Sequence, residues 1–282
     1  MDFNNFLFQC SFDKFFQDYW GRDFYHFESS SKALQIENPQ DLLRRILDQP
    51  RLRYPQVRVL SGGGALSPIL YTKSSQYALD EQIEIDKVLY LSRKPNTIKV
   101  ENLASLLPEF RQWESFLTKL FSSRITLNGY FSFGPSEGIP IHFDPHHIFA
   151  VQLFGDKKWR LGSCQSQAYP HKAVTLSGES NEISMLELTL NAGEMLYIPP
   201  GRIHSVHTES LSVHVAIGIH TPRCFQAISD LVDNLVERHF ELRVDQPFSV
   251  DNNGLTFRGL SKSEVKSIGE LLVSSVKDEN LL

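Results

Sequence analysis

HFDPHHIFAVQLFGDKKWRL, residues 142–161, begins with histidines around an aspartate and continues as a long apolar stretch. Within it, IFAVQLF (148–154) is rich in the apolar and aromatic residues that favour strands. KKWRL (157–161) alternates charged and apolar side chains, which is also typical of a strand. Gly155-Asp156 separates the two segments and is a strong signal for a tight hairpin. We therefore predict two strands joined by a tight turn.

Strand patterns continue on both sides of this segment. In RITLNGYFSF (124–133), apolar residues alternate with polar ones, so that Asn128 and Tyr130 share the polar face. LELTL, EMLYIP and LSVHVAIGI follow, separated by NAGE and PPGR turns. Several short strands without intervening helices predict an antiparallel barrel or jelly roll over residues 124–220.

Helical patterns flank the predicted barrel. Upstream, Asn38-Pro39 opens one short helix and PEFRQWESFLTKLF (108–121) has apolar residues at helical spacing. Downstream, two amphipathic helices are predicted, over residues 224–240 and from a Ser261–Glu264 capping box onward. We predict a mainly β fold with flanking helices: N-terminal α/β elements over 1–123, the barrel over 124–220 and a helical tail over 221–282. The apolar faces of the tail need burial, either within the chain or in a homodimer.

Composition narrows the class of protein. The net charge of −5 and the lack of a long basic run lead us to expect no direct nucleic acid binding. No apolar run approaches membrane-spanning length, and the N-terminus lacks the basic region of a signal peptide, so we expect no membrane segment. The three cysteines form no CxxC pair, which favours a reducing compartment and leads us to expect a cytoplasmic location.

A candidate metal site combines two distant segments. His142 and Asp144 stand two residues apart, which on an extended strand places both side chains on one face. His204 follows the PPGR turn at the start of another strand. Two histidines and one carboxylate on a β scaffold form the facial triad of non-haem Fe(II) oxygenases, which leaves three coordination positions open. The H-x-D spacing also occurs by chance, so a solvated loop pair remains an alternative at this point.

Strand alternation directs Lys157 inward, in phase with Trp159 and Leu161. A buried ammonium is costly without a partner, and a dicarboxylate co-substrate would be one. Tyr130 and Asn128 lie on the polar face of their strand and would suit the same carboxylate. The alternatives are that Lys157 extends to the barrel rim and that Tyr130 lies on a hydrated strand face.

The motifs together resemble a known family. HFDPHHIFAVQLFGDKKWRL and GEMLYIPPGRIH (193–204) are similar to the JmjC-type 2-oxoglutarate oxygenases, within the cupin superfamily, and among these to the ribosomal oxygenases that hydroxylate histidyl or arginyl side chains. That group reads H-x-D, an apolar strand ending in Q-x-x-G, K-x-W, and G-D-x-L-Y-I-P-P-G-x-x-H. The likeness is close over residues 124–220, and FFQDYW and LRYPQVRVL upstream also look like family segments.

The resemblance implies a double-stranded β-helix in which His142, Asp144 and His204 hold Fe(II). It implies that Lys157 and Tyr130 bind the distal carboxylate of 2-oxoglutarate, with Asn128 as a further candidate. The implied activity is that of a dioxygenase that uses O₂ and 2-oxoglutarate to hydroxylate a protein or peptide side chain.

Three departures from the family pattern keep alternatives open. The chain reads YWGRDFYHFE where the family has a basic, proline-containing stretch, and it has Glu194 where the family motif has Asp. The 62 residues after His220 are also fewer than we expect for the dimerisation and winged-helix regions of the family together. A ribosomal-protein target is therefore not implied. One alternative is the same chemistry on a small molecule or modified peptide. Others are a metal-binding cupin without 2-oxoglutarate chemistry and a non-catalytic binding module.

Three further histidines need separate interpretations. Pro145 resets the chain direction after Asp144, so we expect His146 and His147 to be exposed at the mouth of the site, with substrate contact as the alternative. We expect His214 to be a hydrogen-bonded interior histidine, with access to the cavity as the alternative.

Overall fold

The structure is a computed structural model that describes residues 12–28, 35–50, 52–73, 82–137, 140–164, 170, 172–176, 184–243, 245, 248–251, 254–257 and 259–277. It divides into two compact units, residues 1–221 and 222–282. None of the described helices combines the length and the apolar character that a membrane crossing requires.

The described residues before the predicted barrel form four α-helices and six strands. The helices are α1 (Phe12–Asp18), α2 (Pro39–Leu47), α3 (Ile85–Leu91) and α4 (Pro108–Phe121). The strands are β1 (Tyr25–Phe27), β2 (Val57–Ser61), β3 (Gly64–Ala65), β4 (Thr72–Lys73), β5 (Gln82–Ile83) and β6 (Thr97–Val100). Asn38 caps α2, as predicted, because its side chain accepts hydrogen bonds from the backbone N–H groups of Gln40 and Asp41. The helix predicted over 108–121 is α4.

Among the described residues from 124 to 220, ten strands follow α4 without an intervening α-helix. They are β7 (Arg124–Phe133), β8 (Ser136–Glu137), β9 (His142–Phe143), β10 (His147–Phe154), β11 (Asp156–Cys164), β12 (Val174–Thr175), β13 (Leu186–Asn191), β14 (Met195–Ile198), β15 (Arg202–Thr208) and β16 (Leu211–His220). The major sheet has the order β1-β14-β10-β16-β7-β6-β2-β3, and the minor sheet has the order β12-β9-β15-β11-β13 with β8 beside β15. The mainly β architecture with flanking helices confirms the predicted fold class.

The strand pairing corrects one prediction. The segments on either side of Gly155-Asp156 do not form a hairpin, because β10 pairs with β14 and β16 whereas β11 pairs with β13 and β15. Gly155 instead marks the corner at which the chain passes from the major to the minor sheet. Its φ is +62°, and a Cβ there would lie 2.3 Å from the carbonyl oxygen of Leu211, so only glycine fits this corner.

Two apolar cores follow from the two faces of the major sheet. On one face, residues such as Leu127, Phe149 and Ile217 pack with side chains of the N-terminal helices, for example Leu43 and Phe110. This packing makes the N-terminal segment part of the same unit as the barrel. The other face meets the minor sheet through a smaller core, formed by Ile148, Ala150, Trp159, Leu161, Leu190, Leu196 and Ile198. The space between the two sheets also contains the candidate site.

The second unit begins with α5 (Cys224–Arg238) and ends with α6 (Lys262–Lys277). Ser261 and Glu264 exchange the two hydrogen bonds of the predicted capping box at the start of α6. Between the helices lies an antiparallel hairpin of β17 (Phe248–Asp251) and β18 (Gly254–Phe257), which the purely helical prediction for the tail did not include. On α5, Phe225, Ile228 and Val232 are exposed.

Candidate functional site

The minor sheet brings the three candidate metal ligands together. His142 on β9 pairs directly with His204 on β15, and Asp144 follows β9. The backbone N–H of Gly201, in the PPGR turn, donates a 2.9 Å hydrogen bond to the carbonyl of Asp144 and ties the two segments together. Asp144 Oδ2 lies 3.5 Å from His142 Nε2 and 3.6 Å from His204 Nε2. One ligand atom from each of the three residues lies within 4.8 Å of the others.

Backbone carbonyls orient both imidazoles. His142 Nδ1 lies 2.7 Å from the carbonyl oxygen of Pro140, and His204 Nδ1 lies 3.0 Å from that of Arg202. Because a carbonyl only accepts, each Nδ1 carries the hydrogen and donates it. Each Nε2 faces Asp144: in the neutral ring its lone pair is available to a metal, and in a protonated ring it donates a hydrogen to the carboxylate. The hydrogen bond from Nδ1 to a backbone carbonyl is one of the contacts by which proteins fix the tautomer of a metal-binding histidine.

The charge states also suit a cation. Burial lowers the pKa of His204 to about 4, so its ring is neutral near pH 7. Burial alone would raise the pKa of Asp144, but the hydrogen bond with His142 and the nearby imidazoles hold it well below its usual range. Adjacent ligands at about 2.1 Å from an octahedral ion are about 3 Å apart, close to the separations here. Two imidazoles and one carboxylate on one side fit a divalent ion such as Fe(II).

A pocket between the sheets adjoins these three residues. Its polar lining includes Thr97, Tyr130, Ser132, Ser136, Lys157, Thr208 and His214, and its apolar lining includes Ile148, Trp159, Val206 and Ala216. Lys157 and Tyr130 therefore lie where strand alternation predicted, on the inner faces of β11 and β7.

Lys157 is buried, with 3% of its surface exposed. Its Nζ donates to Ser132 Oγ at 3.1 Å and to His214 Nδ1 at 2.8 Å. Burial lowers the pKa of Lys157 to about 7, and in the described part of the chain no carboxylate contributes to it. The structure thus excludes the alternative in which this lysine extends to the rim.

Tyr130 and His214 lie face to face on neighbouring strands. Their rings stack at 4.6 Å with an interplanar angle of 1°, and Trp159 meets His214 edge-on at 5.6 Å. Burial raises the pKa of Tyr130 and lowers that of His214 well below its ordinary value, so both are neutral near pH 7. His214 is a hydrogen-bonded interior histidine, as expected, and it also lines the pocket.

Asn128 is not brought into this group. It shares a strand face with Tyr130, but its side-chain oxygen accepts a 3.2 Å hydrogen bond from the backbone N–H of Asn102, and it does not line the pocket. The pairing of β7 with β6 creates this contact, and the sequence of β7 alone does not reveal it.

The expectation for His147 was wrong. Only 1% of it is exposed, its ring stacks on Trp20 at 3.8 Å, and its Nδ1 lies 2.8 Å from the Tyr197 hydroxyl. His147 is already part of β10, in phase with Phe149, so it faces the helix-covered core. His146 is partly buried and stacks on His220 at 4.3 Å.

Several pocket residues were not among the predicted site residues. Ser132 follows Tyr130 at the strand period of two, so alternation along β7 could have identified it. Thr97 and Ser136 had no such signal. They come from β6 and β8, and a hydrogen-bonded chain joins Ser132, Thr97 and Ser136 at 2.8 and 3.0 Å.

Comparisons with known proteins agree with this geometry. Residues 105–226 match the model of the JmjC domain family. The bifunctional lysine-specific demethylase and histidyl-hydroxylase NO66 of Drosophila mojavensis is 25% identical over 196 residues, which are 64% of this chain and 21% of that protein. The protein of the same name from Aedes aegypti is 27% identical over 164 residues, or 55% of this chain and 26% of that protein. The chain thus spans about a fifth to a quarter of the length of these relatives.

Solved structures show the same fold. Escherichia coli YcfD matches with a TM-score of 0.61 at 16% identity, covering 96% of this chain and 69% of that one. YcfD is also described as a ribosomal oxygenase, and its complex with cobalt and 2-oxoglutarate gives a TM-score of 0.59 at 17% identity over 96% and 68% of the two chains. The motifs, the fold and the matched model agree, and residues 105–226 are therefore similar to the JmjC domain.

Proposed function

We propose that this protein is an Fe(II)- and 2-oxoglutarate-dependent oxygenase that hydroxylates a side chain of a protein or peptide. The observation that carries the proposal is the converging set of His142, Asp144 and His204, in which backbone carbonyls hold both imidazoles with Nε2 toward the carboxylate. The similarity to NO66, a lysine-specific demethylase and histidyl-hydroxylase, and to YcfD, a ribosomal oxygenase, supports the same proposal.

In this proposal the three residues hold the metal and leave its other positions open. Bound Fe(II) would supply an oxidation that consumes 2-oxoglutarate and O₂. Its products would be succinate, CO₂ and a substrate in which one C–H bond has become C–OH. The protein's own contribution is to orient the ligands, bind the co-substrate and exclude water. None of these tasks needs a side-chain general base.

The pocket residues would bind the distal carboxylate of 2-oxoglutarate. Lys157 supplies a buried ammonium, and the Tyr130 hydroxyl can donate a hydrogen bond beside it. His214 holds both, because it accepts from Lys157 and stacks on Tyr130. A carboxylate only accepts hydrogen bonds, so it complements these donors. We leave Asn128 out of the co-substrate site because Asn102 already engages its side-chain oxygen.

Succinate formation tests the proposal. The protein is purified anaerobically and given Fe(II) and 2-oxoglutarate, O₂ is admitted, and succinate is quantified. We expect wild-type protein to form succinate and Lys157→Ala to need far more 2-oxoglutarate with an unchanged need for iron. Lys158→Ala is the matched control, because Lys158 lies on the same strand but pairs with the exposed Glu209 at 2.8 Å.

The other outcomes identify the alternatives. Stoichiometric iron binding without succinate would reject the oxygenase and leave a metal-binding cupin. Another outcome is that candidate peptides fail to stimulate succinate formation while a small molecule is hydroxylated. That result would reject a protein substrate. Mass spectrometry for a 16 Da increase separates these two cases.

Two further parts of the proposal concern assembly and location. We propose a homodimer through the tail, supported by the exposed Phe225, Ile228 and Val232 on α5, and light scattering would test it. We also propose a cytoplasmic location, which the free, exposed thiols of Cys164 and Cys224 support. Fractionation with an antibody to the native protein would test the location.

A further inference from the structure

A second lysine, Lys99, lies near the co-substrate pocket but does not line it. Lys99 on β6 is the direct neighbour of Tyr130 on β7. Its Nζ lies over the Tyr130 ring, 5.7 Å from the ring centre. The sequence of β6 alone does not reveal this contact, because only the pairing of two distant strands brings Lys99 to Tyr130.

Lys99 belongs to a small ion cluster. Oε1 of Glu101 accepts from Lys99 Nζ at 2.9 Å and from a terminal nitrogen of Arg58 at 3.1 Å. Two cations thus share one carboxylate, which leaves one positive charge in excess beside Tyr130. The Lys99 side chain is only 16% exposed. Burial lowers its pKa, but Tyr130 and Glu101 more than offset this, so the pKa is raised and Lys99 is an ammonium at pH 7.

We propose that Lys99 is a positioning residue that turns the Tyr130 hydroxyl toward the distal carboxylate of the co-substrate. The inference rests on the proposed function, because it assumes that 2-oxoglutarate binds in this pocket. An ammonium has positive charge and no acceptor, so the Tyr130 hydroxyl turns its oxygen toward Lys99 and its hydrogen away. Its own hydrogen is then available for another acceptor.

The other contacts of Tyr130 make this arrangement specific. The stack on His214 fixes the plane of the ring, so the hydroxyl oxygen has a fixed position. Lys157, the other group held by His214, is likewise a donor without an acceptor. The excess charge of the ion cluster also attracts an anion. Lys99 thus acts through Tyr130 and lies outside the pocket lining.

Ligand binding without turnover tests this role. Titration calorimetry of the Co(II)-loaded protein measures the Kd of 2-oxoglutarate and of 2-oxobutyrate, which has the same keto-acid end but no distal carboxylate. We expect Lys99→Met to raise the Kd of 2-oxoglutarate about tenfold, because the variant removes both a positive charge near the pocket and the group that orients the Tyr130 hydroxyl. The Kd of 2-oxobutyrate should not change. Lys99→Arg keeps the cation and should restore most of the affinity.

Two variants control for side effects. Lys94→Met removes a lysine that also lies over a tyrosine ring, at 5.0 Å from Tyr90, but does not reach the pocket, so both Kd values should stay at wild type. Glu101→Gln breaks the ion cluster and keeps Lys99, so 2-oxoglutarate should bind at least as tightly. Thermal unfolding checks that each variant is folded.

The outcomes separate this inference from the proposed function. Equal wild-type affinity for the two keto acids would refute the distal carboxylate site and the role of Lys99 with it. A wild-type preference for 2-oxoglutarate that Lys157→Met abolishes and Lys99→Met leaves intact would refute only the role of Lys99. Weaker binding of both keto acids in Lys99→Met, or a loss in Glu101→Gln equal to that in Lys99→Met, would also overturn it.

Discussion

The affinity for 2-oxoglutarate should fall steeply as the pH rises above 7. Burial lowers the pKa of Lys157 to about 7, and only the protonated form of this lysine attracts a carboxylate. The His214 ring that faces it is neutral throughout this range, so a single group titrates. The deprotonated fraction grows with pH, and binding must then take up a proton.

The size of the effect follows from this linkage. With one titrating group, the apparent Kd increases in proportion to one plus the ratio of deprotonated to protonated lysine. For a pKa of about 7, the Kd should increase about fivefold from pH 7 to pH 8 and about fiftyfold from pH 7 to pH 9.

Calorimetry of the Co(II)-loaded protein across this pH range measures the effect, and proton uptake appears as a dependence of the enthalpy on the buffer. Lys157→Met should bind weakly with no pH dependence between pH 7 and pH 9, whereas Lys158→Met should keep the wild-type slope. A wild-type Kd that stays constant over this range would refute the reasoning, because it would mean that Lys157 keeps its proton in the free protein.

Three further predictions concern stability and metal binding. The pKa of Lys157 is about 7 in the folded state and ordinarily 10.5, so the unfolded chain binds more protons between these pH values and stability rises with pH there. Lys157→Met should therefore raise the free energy of unfolding of the metal-free protein at pH 7 by up to about 4 kcal/mol, and with it the Tm. The gain should shrink toward pH 10; a gain independent of pH would contradict this origin. His142→Ala or Asp144→Ala should abolish succinate formation and weaken metal binding by more than the roughly 10–100-fold typical of losing a group that only orients a ligand, and retained turnover would reject these ligands. Gly155→Ala should destabilise the fold by several kcal/mol because its Cβ would meet the Leu211 carbonyl. Gly62 is the control: its φ is +55° with nothing within 4 Å, so Gly62→Ala should cost only about 1–2 kcal/mol. Equal losses in denaturant unfolding would disprove the steric cause.

Local periodicity predicted those parts of the site that depend on one strand at a time. The two-residue spacing of His142 and Asp144, and the alternation that directs Lys157 inward, are properties of single segments. The sequence also contained the signal for His147, because it is in phase with Phe149. The expectation that it would be exposed failed because Trp20, from a distant segment, covers it.

The remaining features depend on which strands pair. A Gly-Asp dipeptide can close a hairpin or turn a corner between sheets, and only the partners of β10 and β11 distinguish the two. Thr97 lines the pocket, and Lys99 lies close to Tyr130 outside it, because β6 pairs with β7 across more than twenty intervening residues. Such pairing is decided by long-range packing, which a pattern within one segment does not contain.

The division of the site between two sheets also matters for redesign. His142 on β9 pairs with His204 on β15 within the minor sheet, and Asp144 follows β9. Tyr130, His214 and Lys99 all lie on strands of the major sheet. Substitutions on the major sheet can therefore alter the choice of keto acid while the metal ligands keep their scaffold. The metal ligands and the co-substrate residues can therefore be varied largely separately. Lys157 is the exception, because it lies on the minor sheet and binds His214 on the major sheet, so a substitution there would affect both groups.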